Sequence, residues 1–198
     1  MTEPDDFGLS AIATLSHVGD QARSLRHTAF WKTWMEAVMS AAPRLTPREA
    51  GDTSDLSATH ELVSFGHARI GCALVMPAAT RARAGLVVMH GYSNVPTLAQ
   101  SAEDWRSMSE RGVAVLVVRV RGYPGSQLDC GQLVHHAAAG PGGGGMWITH
   151  GLGRPLNEKG CGTEWVFAHA VADAVNACRA LRSFLGGRLP IFMHGESL

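Results

Sequence analysis

Short apolar segments alternate with longer amphipathic segments over the C-terminal part of the chain, and this alternation limits the possible folds more than any other feature. Residues 86–90, 113–118 and 189–194 are almost entirely apolar, as strands buried on both faces of a sheet are. Residues 98–111 and 165–185 place apolar side chains at helical spacing, and a glycine follows each segment. Strands that alternate with helices form βαβ units. We therefore predict an α/β fold with parallel strands and helices on both faces of the sheet.

The N-terminal part of the chain indicates a different arrangement. Residues 28–41 favour an amphipathic helix, and a polar, proline-containing stretch follows at 43–59. Residues 61–65 and 69–76 predict two antiparallel strands that are joined by a tight turn at Gly66-His67. Apolar side chains alternate along the second strand: Ile70, Cys72, Leu74 and Met76. We expect this hairpin to have one face on the core and a less buried opposite face.

Composition and charge exclude several classes of protein. The 198 residues are 45% hydrophobic and 17% charged, which provides apolar material for one substantial core. Lysine plus arginine equals aspartate plus glutamate at 17 each, so the chain has no net positive charge that would attract nucleic acid or anionic membranes. Residues 1–30 lack a continuous apolar segment, which argues against a signal peptide, and no stretch reaches membrane-spanning length. We expect a cytoplasmic protein that binds neither nucleic acid nor membranes.

The four cysteines are spread along the chain without a Cys-x-x-Cys pair: Cys72, Cys130, Cys161 and Cys178. A chain of this size does not need disulfides, so we expect reduced thiols. Cys130 and Cys161 could be combined with His135, His136 and His150 into a metal site, but the spacings match no familiar zinc pattern. We therefore predict no metal and no cofactor.

Residues 121–163 form the one long segment without helical or strand periodicity, and they include the glycine run 141–145. Loops longer than about 15 residues inside a compact domain are usually functional or disordered. Aromatic and polar side chains favour a pocket wall: Tyr123, Trp147, Thr149 and His150. A flexible insertion without contact to substrate is the alternative, above all for the glycine run.

The last four residues, Gly195-Glu196-Ser197-Leu198, match the start of the nucleophile-elbow pattern Gly-x-Ser-x-Gly, and an apolar strand precedes them. In such an elbow a serine hydroxyl is exposed on a sharp strand-to-helix turn, where it can attack an acyl carbonyl. We predict that Ser197 is the catalytic nucleophile, supported by Gly195 and Glu196. A loop serine without a catalytic role is the alternative.

Acyl transfer also needs two N–H donors for the oxyanion of the tetrahedral intermediate. One donor is the residue after the nucleophile, Leu198, and the other comes from the loop after an earlier strand, for which His90-Gly91-Tyr92 is the candidate. Gly91 permits a tight turn that aims the Tyr92 N–H into the site. In hydrolases with a nucleophile elbow, the catalytic base follows the serine in the chain. We therefore expect His90 and His194, which precede Ser197, to support the site by packing or hydrogen bonding.

Several further segments are typical of one family. They are Phe30-Trp31-Lys32, Val63-Ser64-Phe65-Gly66, Arg69-Ile70-Gly71, His90-Gly91-Tyr92, Val118-Arg119-Val120-Arg121-Gly122, Met146-Trp147-Ile148-Thr149-His150-Gly151-Leu152 and the helix 165–185. On these segments, residues 28–198 resemble the front portion of the acetyl xylan esterase and cephalosporin C deacetylase family of α/β-hydrolases.

The resemblance implies an incomplete α/β-hydrolase fold, with a leading antiparallel hairpin before the parallel strands. Residues 1–27 would be an N-terminal extension, and residues 28–198 the N-terminal part of the hydrolase domain. The implied activity is hydrolysis of acetyl or other short-chain acyl esters of small carbohydrates or related molecules. Its Ser-His-Asp triad would draw its acid and base from beyond residue 198, so the 198-residue chain alone is expected to be inactive. The full-length protein is expected to be intracellular and homo-oligomeric.

The elbow departs from this family's pattern, which has glycine before the nucleophile and glutamine after it, whereas this chain has Glu196 and Leu198. Gly-Glu-Ser-Leu also fits other α/β-hydrolases, so a peptidase, a lipase and an acyltransferase stay open as alternatives. A non-catalytic, hydrolase-like interaction module is an alternative from a different class.

Overall fold

The computed structural model describes residues 25–48, 58–78, 81–91, 96–123, 125–126 and 166–196, with side chains described from residue 28 onward. Its helices are α1 (Leu25–Ser40), α2 (Leu98–Asp104), α3 (Arg106–Glu110) and α4 (Val166–Phe184). Its strands are β1 (Arg44–Pro47), β2 (His60–Val63), β3 (Arg69–Val75), β4 (Ala84–Met89), β5 (Val113–Val118) and β6 (Ile191–Gly195). A short 3₁₀ helix, Phe65–His67, joins β2 to β3.

The strands form one six-stranded sheet in the order β1-β2-β3-β5-β4-β6. The first three strands are antiparallel to their neighbours, and β3 also runs antiparallel to β5. Strand β4 lies parallel to both β5 and β6. The predicted order, a leading antiparallel hairpin followed by parallel strands, is confirmed.

Strand β1 lies within the polar, proline-containing stretch 43–59, in which we predicted no strand. It pairs with β2 from Arg44 opposite Val63 to Pro47 opposite His60. Within the described sheet β1 is an edge strand, where a proline is tolerated because one side of the strand has no ladder to complete. Polar, proline-containing residues can therefore form a strand at this position.

The turn between β2 and β3 begins earlier than predicted, because β2 ends at Val63 and Phe65 belongs to the 3₁₀ helix. Gly66 and His67 both have left-handed backbone conformations, with φ of 69° and 62°. Glycine adopts this region without steric cost, and histidine is among the residues found there more often than most.

The middle of strand β3, residues 70–73, is buried on both faces, which corrects the less buried opposite face that we expected for this strand. Ile70 and Cys72 join the core beneath α4, whereas Ala73 packs with Leu98 of α2 in the core on the opposite face. The sequence showed only the alternation of larger side chains. It did not show that a second helix covers the small side chain of Ala73.

Residues 98–111 form two short helices rather than the single helix that we predicted. Thr97 caps α2: its hydroxyl accepts from the Gln100 backbone N–H, and the Gln100 side chain accepts from the Thr97 N–H. The chain then leaves helical geometry at Trp105, with φ of −97° and ψ of 3°. Neither glycine nor proline marks this break in the sequence.

Apolar cores on the two faces of the sheet confirm the predicted layers of helices. The face covered by α4 holds Val87, Leu116 and Leu181, and the face covered by α2 and α3 holds Leu86, Val88 and Val115. This arrangement explains why β4 and β5 are apolar on both faces.

Helix α1 packs on the outer side of α4. Trp34 and Val38 are fully buried against Ala168 and Ala172, and the Trp34 indole N–H donates to the Ala168 carbonyl at 3.2 Å. Arg179 of α4 donates to carbonyls at the end of α1. Helix α4 is therefore covered by the sheet on one side and by α1 on the other.

Candidate active site

The carboxyl ends of β4 and β6 lie side by side. Their parallel register places Met89 beside Gly195, and the Glu196 N–H donates to the Met89 carbonyl at 3.2 Å. The first residues after each strand, His90 on one side and Glu196 on the other, therefore leave the sheet at the same edge. Ligands of open α/β sheets bind at this edge.

Four of the predicted site residues lie within the described part of the chain: His90, Gly91, Gly195 and Glu196. The parallel pairing of β4 and β6 brings the two halves of the predicted site together. The other four, Tyr92, Trp147, Ser197 and Leu198, lie outside the described residues. Their roles stay predictions.

The His90 ring is 8% exposed and uses both of its nitrogens. Its Nε2 accepts from the Val120 backbone N–H at 3.0 Å, and its Nδ1 lies 2.7 Å from the Gly91 carbonyl oxygen. A carbonyl can only accept, so the proton of the neutral ring belongs on Nδ1. The Tyr123 ring packs edge-on against the imidazole at 4.7 Å between centroids. His90 thus connects the end of β4 to the segment after β5.

Burial lowers the pKa of His90 from 6.5 to about 4, although its hydrogen bond to Gly91 opposes this shift and the Arg119 charge adds to it. The ring is therefore neutral at physiological pH. With both nitrogens engaged, His90 offers no free lone pair for a general base.

Tyr123 lies in the core rather than at a pocket wall, which corrects our prediction for this residue. It is 2% exposed and its backbone N–H donates to the Val120 carbonyl at 3.1 Å. The turn that begins at Val120 directs the aromatic ring inward, onto His90. Thr149 and His150, which we placed at the same wall, lie outside the described residues.

Arginine side chains hold the segment after β5 in place. Arg119 is 5% exposed and donates to the Pro96 carbonyl at 2.9 Å, just before α2. Arg121 is fully buried and forms two hydrogen bonds with Asp173 of α4, each of 2.7 Å. These arginines fix the segment that in turn holds His90.

The sequence reasoning did not identify Arg119, Arg121 or Asp173 as buried residues. One signal was present, because both arginines continue the apolar strand 113–118, alternating with Val120. Asp173 similarly interrupts the apolar part of α4. Buried charges are almost always paired, so charges in such positions indicate an internal ion pair.

His194 and Glu196 are solvent-accessible beside the end of β6. The His194 Nε2 lies 3.9 Å from the Glu196 carboxylate, and the side chains are 42% and 69% exposed. The His194 ring also contacts Trp105, with ring centroids 4.9 Å apart. Both side chains are thus accessible to solvent beside the candidate site.

The described residues contain no group of three or more His, Cys, Asp or Glu side chains that could hold a metal ion. Cys72 and Cys178 are free thiols, and burial raises the pKa of each. The residues that we considered for a metal site, Cys130, His135, His136, His150 and Cys161, lie outside the described part of the chain. No described helix is both long enough and apolar enough to cross a membrane.

Two surface grooves lie near the amino ends of the parallel strands, opposite the carboxyl ends that carry the candidate site. One, of about 710 Å³, is lined by residues that precede β4 and β6, among them Arg81, Arg83 and Arg188. The other, of about 250 Å³, lies between the end of β3 and α3. Neither groove contacts the carboxyl ends of β4 and β6.

No family model matches the chain, and no curated protein sequence matches it. Its fold is similar to that of solved acetyl xylan esterases. For acetyl xylan esterase 1 from Thermoanaerobacterium sp. JW/SL YS485, the TM-score is 0.60 at 18% identity, over 96% of this chain and 56% of that one. For the acetyl xylan esterase from Paenibacillus sp. R4, the TM-score is 0.56 at 16% identity, over 94% of this chain and 56% of that one.

The chain therefore spans little more than half the length of the solved esterases that it matches. At this identity the likeness concerns the fold. Together with the mixed sheet and the helices on both of its faces, it shows that the described elements have the α/β-hydrolase fold.

Proposed function

We propose that this chain is the N-terminal part of a serine esterase that hydrolyses acetyl or other short-chain acyl esters of small carbohydrates or related molecules. The observation that carries the proposal is the register of β4 and β6, which aligns Met89 with Gly195. The nucleophile and the oxyanion donors must contact the same acyl carbonyl group. This register supports that requirement, because the strands that precede the two candidate segments end side by side. The fold likeness to acetyl xylan esterases supports the same class of reaction.

In the proposed reaction the Ser197 hydroxyl attacks the acyl carbon, and its proton passes to a histidine beyond residue 198. The backbone N–H groups of Tyr92 and Leu198 hold the oxyanion of the tetrahedral intermediate. Collapse of the intermediate releases the alcohol, which takes the proton from the histidine. Water then attacks the acyl-enzyme by the same route, which releases the acid and restores the serine. No cofactor takes part.

Trp147 is proposed to form part of the pocket wall, and His90, Gly91, Gly195 and Glu196 are proposed to support the reacting groups. We further propose that the full-length protein is a homo-oligomer that acts in the cytoplasm.

The decisive experiment compares the 198-residue chain with a version extended by the downstream residues of its own reading frame. We expect hydrolysis of p-nitrophenyl acetate by the extended protein alone, because the chain itself lacks the proposed acid and base. Ser197→Ala should reduce kcat of the extended protein by about 10⁴-fold or more, as loss of a triad serine does. Ser107→Ala, at an exposed position of α3, is the matched control and should retain full activity.

Activity that survives Ser197→Ala would overturn the proposal. A panel of long-chain esters, peptides and acyl acceptors distinguishes an esterase from a lipase, a peptidase or an acyltransferase. An extended protein that folds but acts on none of these substrates would favour the non-catalytic interaction module.

A further inference from the structure

We propose that His90 is a positioning residue for oxyanion stabilisation, because its ring holds the carbonyl of the peptide unit whose N–H is the proposed oxyanion donor. This inference rests on the proposed function. It extends that function by assigning a task to a buried side chain that takes no part in proton transfer.

The peptide unit after Gly91 links the His90 ring to the proposed oxyanion donor. A trans peptide unit is planar, and its N–H points opposite to its C=O. The His90 Nδ1 lies 2.7 Å from the Gly91 carbonyl oxygen. A hydrogen bond that fixes this carbonyl therefore also fixes the direction of the N–H on the other side of the plane, which belongs to Tyr92.

The proton of the neutral His90 ring lies on the nitrogen that faces Gly91. The Val120 backbone N–H donates to Nε2 at 3.0 Å, so the proton of the neutral ring must lie on Nδ1. Nδ1 is then a donor, as the Gly91 carbonyl requires. Burial lowers the pKa of His90 to about 4 and keeps the ring in this neutral form. The imidazole thus accepts from the Val120 amide through Nε2 and donates to the Gly91 carbonyl through Nδ1.

Arg119 provides a second contact on the chain between β4 and α2. Arg119, the neighbour of Val120, donates to the Pro96 carbonyl at 2.9 Å, just before the Thr97 cap of α2. Val120 and Arg119, adjacent residues after β5, therefore contact His90 and Pro96, which lie before and after residues 92–95. A donor whose direction is fixed before the reaction needs no reorganisation when the oxyanion forms, which is how a preorganised donor lowers a barrier.

Two substitutions separate the two hydrogen bonds of His90. In His90→Asn the amide nitrogen can replace Nδ1 as donor to Gly91, but no atom replaces Nε2. In His90→Gln the amide oxygen can replace Nε2 as acceptor from Val120, but the donor to Gly91 is lost. Each variant keeps one bond, so their stabilities should fall by similar amounts.

We expect the two variants of the extended protein to differ in kcat rather than in KM. His90→Gln should lower kcat about 100-fold with little change in KM, because the loss of one oriented oxyanion donor acts on the transition state. His90→Asn should keep kcat within about 10-fold of the parent, because the donor to Gly91 is preserved. His67→Asn, at an exposed residue in a left-handed conformation that asparagine tolerates, is the matched control.

Equal kcat values for the Asn and Gln variants, or losses of activity that simply follow losses of thermal stability, would overturn the proposal. Nitrogen-15 NMR of the parent supplies a readout that does not depend on activity. It should show a protonated Nδ1 and an unprotonated Nε2 on His90 at pH 7, and a protonated Nε2 would overturn the proposal. An inactive extended parent would refute the esterase function instead, and the NMR result would still show whether His90 holds Gly91.

Discussion

Arg121 and Asp173 form an ion pair in which both side chains are fully buried. The Nε and Nη2 atoms of the guanidinium donate to the two carboxylate oxygens, each at 2.7 Å. Ser64 donates to the same carboxylate, and the Phe65 carbonyl accepts from Arg121 at 3.1 Å. The pair therefore joins the segment after β5, helix α4 and the turn after β2.

Removal of one partner should destabilise the fold strongly, because the remaining charge stays buried without its counter-ion. We expect Arg121→Met or Asp173→Leu to reduce the free energy of unfolding by about 3–5 kcal/mol. Urea denaturation monitored by tryptophan fluorescence measures this change. Arg106→Met provides the control, since its pair with Glu103 is exposed and such pairs contribute little.

A loss in Arg121→Met as small as that in Arg106→Met would contradict a structural role for the buried pair. The double variant Arg121→Met/Asp173→Leu adds a second criterion. It should be less destabilised than the sum of the single variants, because it leaves no unpaired charge in the core.

The pH dependence of the free energy of unfolding should reveal the protonation of His90. Its pKa is about 4 in the folded chain and about 6.5 when unfolded, so the unfolded chain binds the proton more tightly. The free energy of unfolding should therefore fall as pH decreases from about 6.5 to about 4, by about 3 kcal/mol from this residue. Above pH 6.5 its contribution should be constant. The groups that face the ring are the Arg119 guanidinium, which disfavours protonation, and the Tyr123 phenol ring.

The measurement is urea denaturation at pH 4.5, 5.5 and 7.0 for the parent and for His90→Gln. Burial also lowers the pKa of His60, so part of the acid sensitivity has another source and only the difference between the proteins reports on His90. The variant should lose less stability than the parent on acidification. Parallel pH profiles for the two proteins would show that His90 is not the acid-sensitive group.

The elements that the sequence predicted well are those with a strong local pattern. The bounds predicted for β5 are confirmed, because six consecutive apolar residues lie between a glycine and an arginine. Helix α4 begins and ends within one residue of the predicted bounds, since its apolar stripe is long and a glycine pair follows it. Within the segment 28–41, predicted as an amphipathic helix, Trp34 and Val38 lie four residues apart and are both fully buried on one face of α1.

The elements that the sequence did not predict depend on partners far away in the chain. Strand β1 is polar and exists through its pairing with β2, so no local periodicity marks it. Arg121 continues an apolar strand, but its partner Asp173 is 52 residues away and no local pattern links the two. The same holds at the candidate site, where the role of His90 depends on the amide of Val120 and cannot be inferred from the His-Gly-Tyr motif alone.

Gly71 and Gly85 should differ in their tolerance of a methyl group. A Cβ on Gly71 would lie 2.5 Å from the Gly125 backbone oxygen, whereas on Gly85 it would first meet the ends of the Ile191 and Leu181 side chains at 2.7 and 2.9 Å. Side-chain ends can rotate, but a backbone carbonyl requires the segment itself to move. We expect Gly71→Ala to cost about 3 kcal/mol and Gly85→Ala about 1 kcal/mol.

Thermal and urea denaturation of the two alanine variants test this order. Gly71 also donates to the Ser126 hydroxyl at 3.0 Å and accepts from the Arg119 N–H at 2.9 Å, so its displacement should disturb the segment that carries Arg119. A Gly71→Ala variant as stable as Gly85→Ala would mean that the segment around Gly125 yields easily.

Strand β6 exposes large apolar side chains on both of its faces, which should promote self-association of the 198-residue chain. Phe192 is 59% exposed and Met193 is 52% exposed, and β6 is an edge strand of the described sheet. An apolar edge strand is a template for pairing with another chain. We expect the sedimentation coefficient to rise with protein concentration. The double variant Phe192→Lys/Met193→Lys should suppress this rise, because charged side chains block edge pairing.

The control variant Met76→Lys replaces an apolar side chain that is 43% exposed and lies away from β6, so it should leave the association unchanged. Equal suppression by both variants would indicate general surface hydrophobicity rather than β6 as the cause.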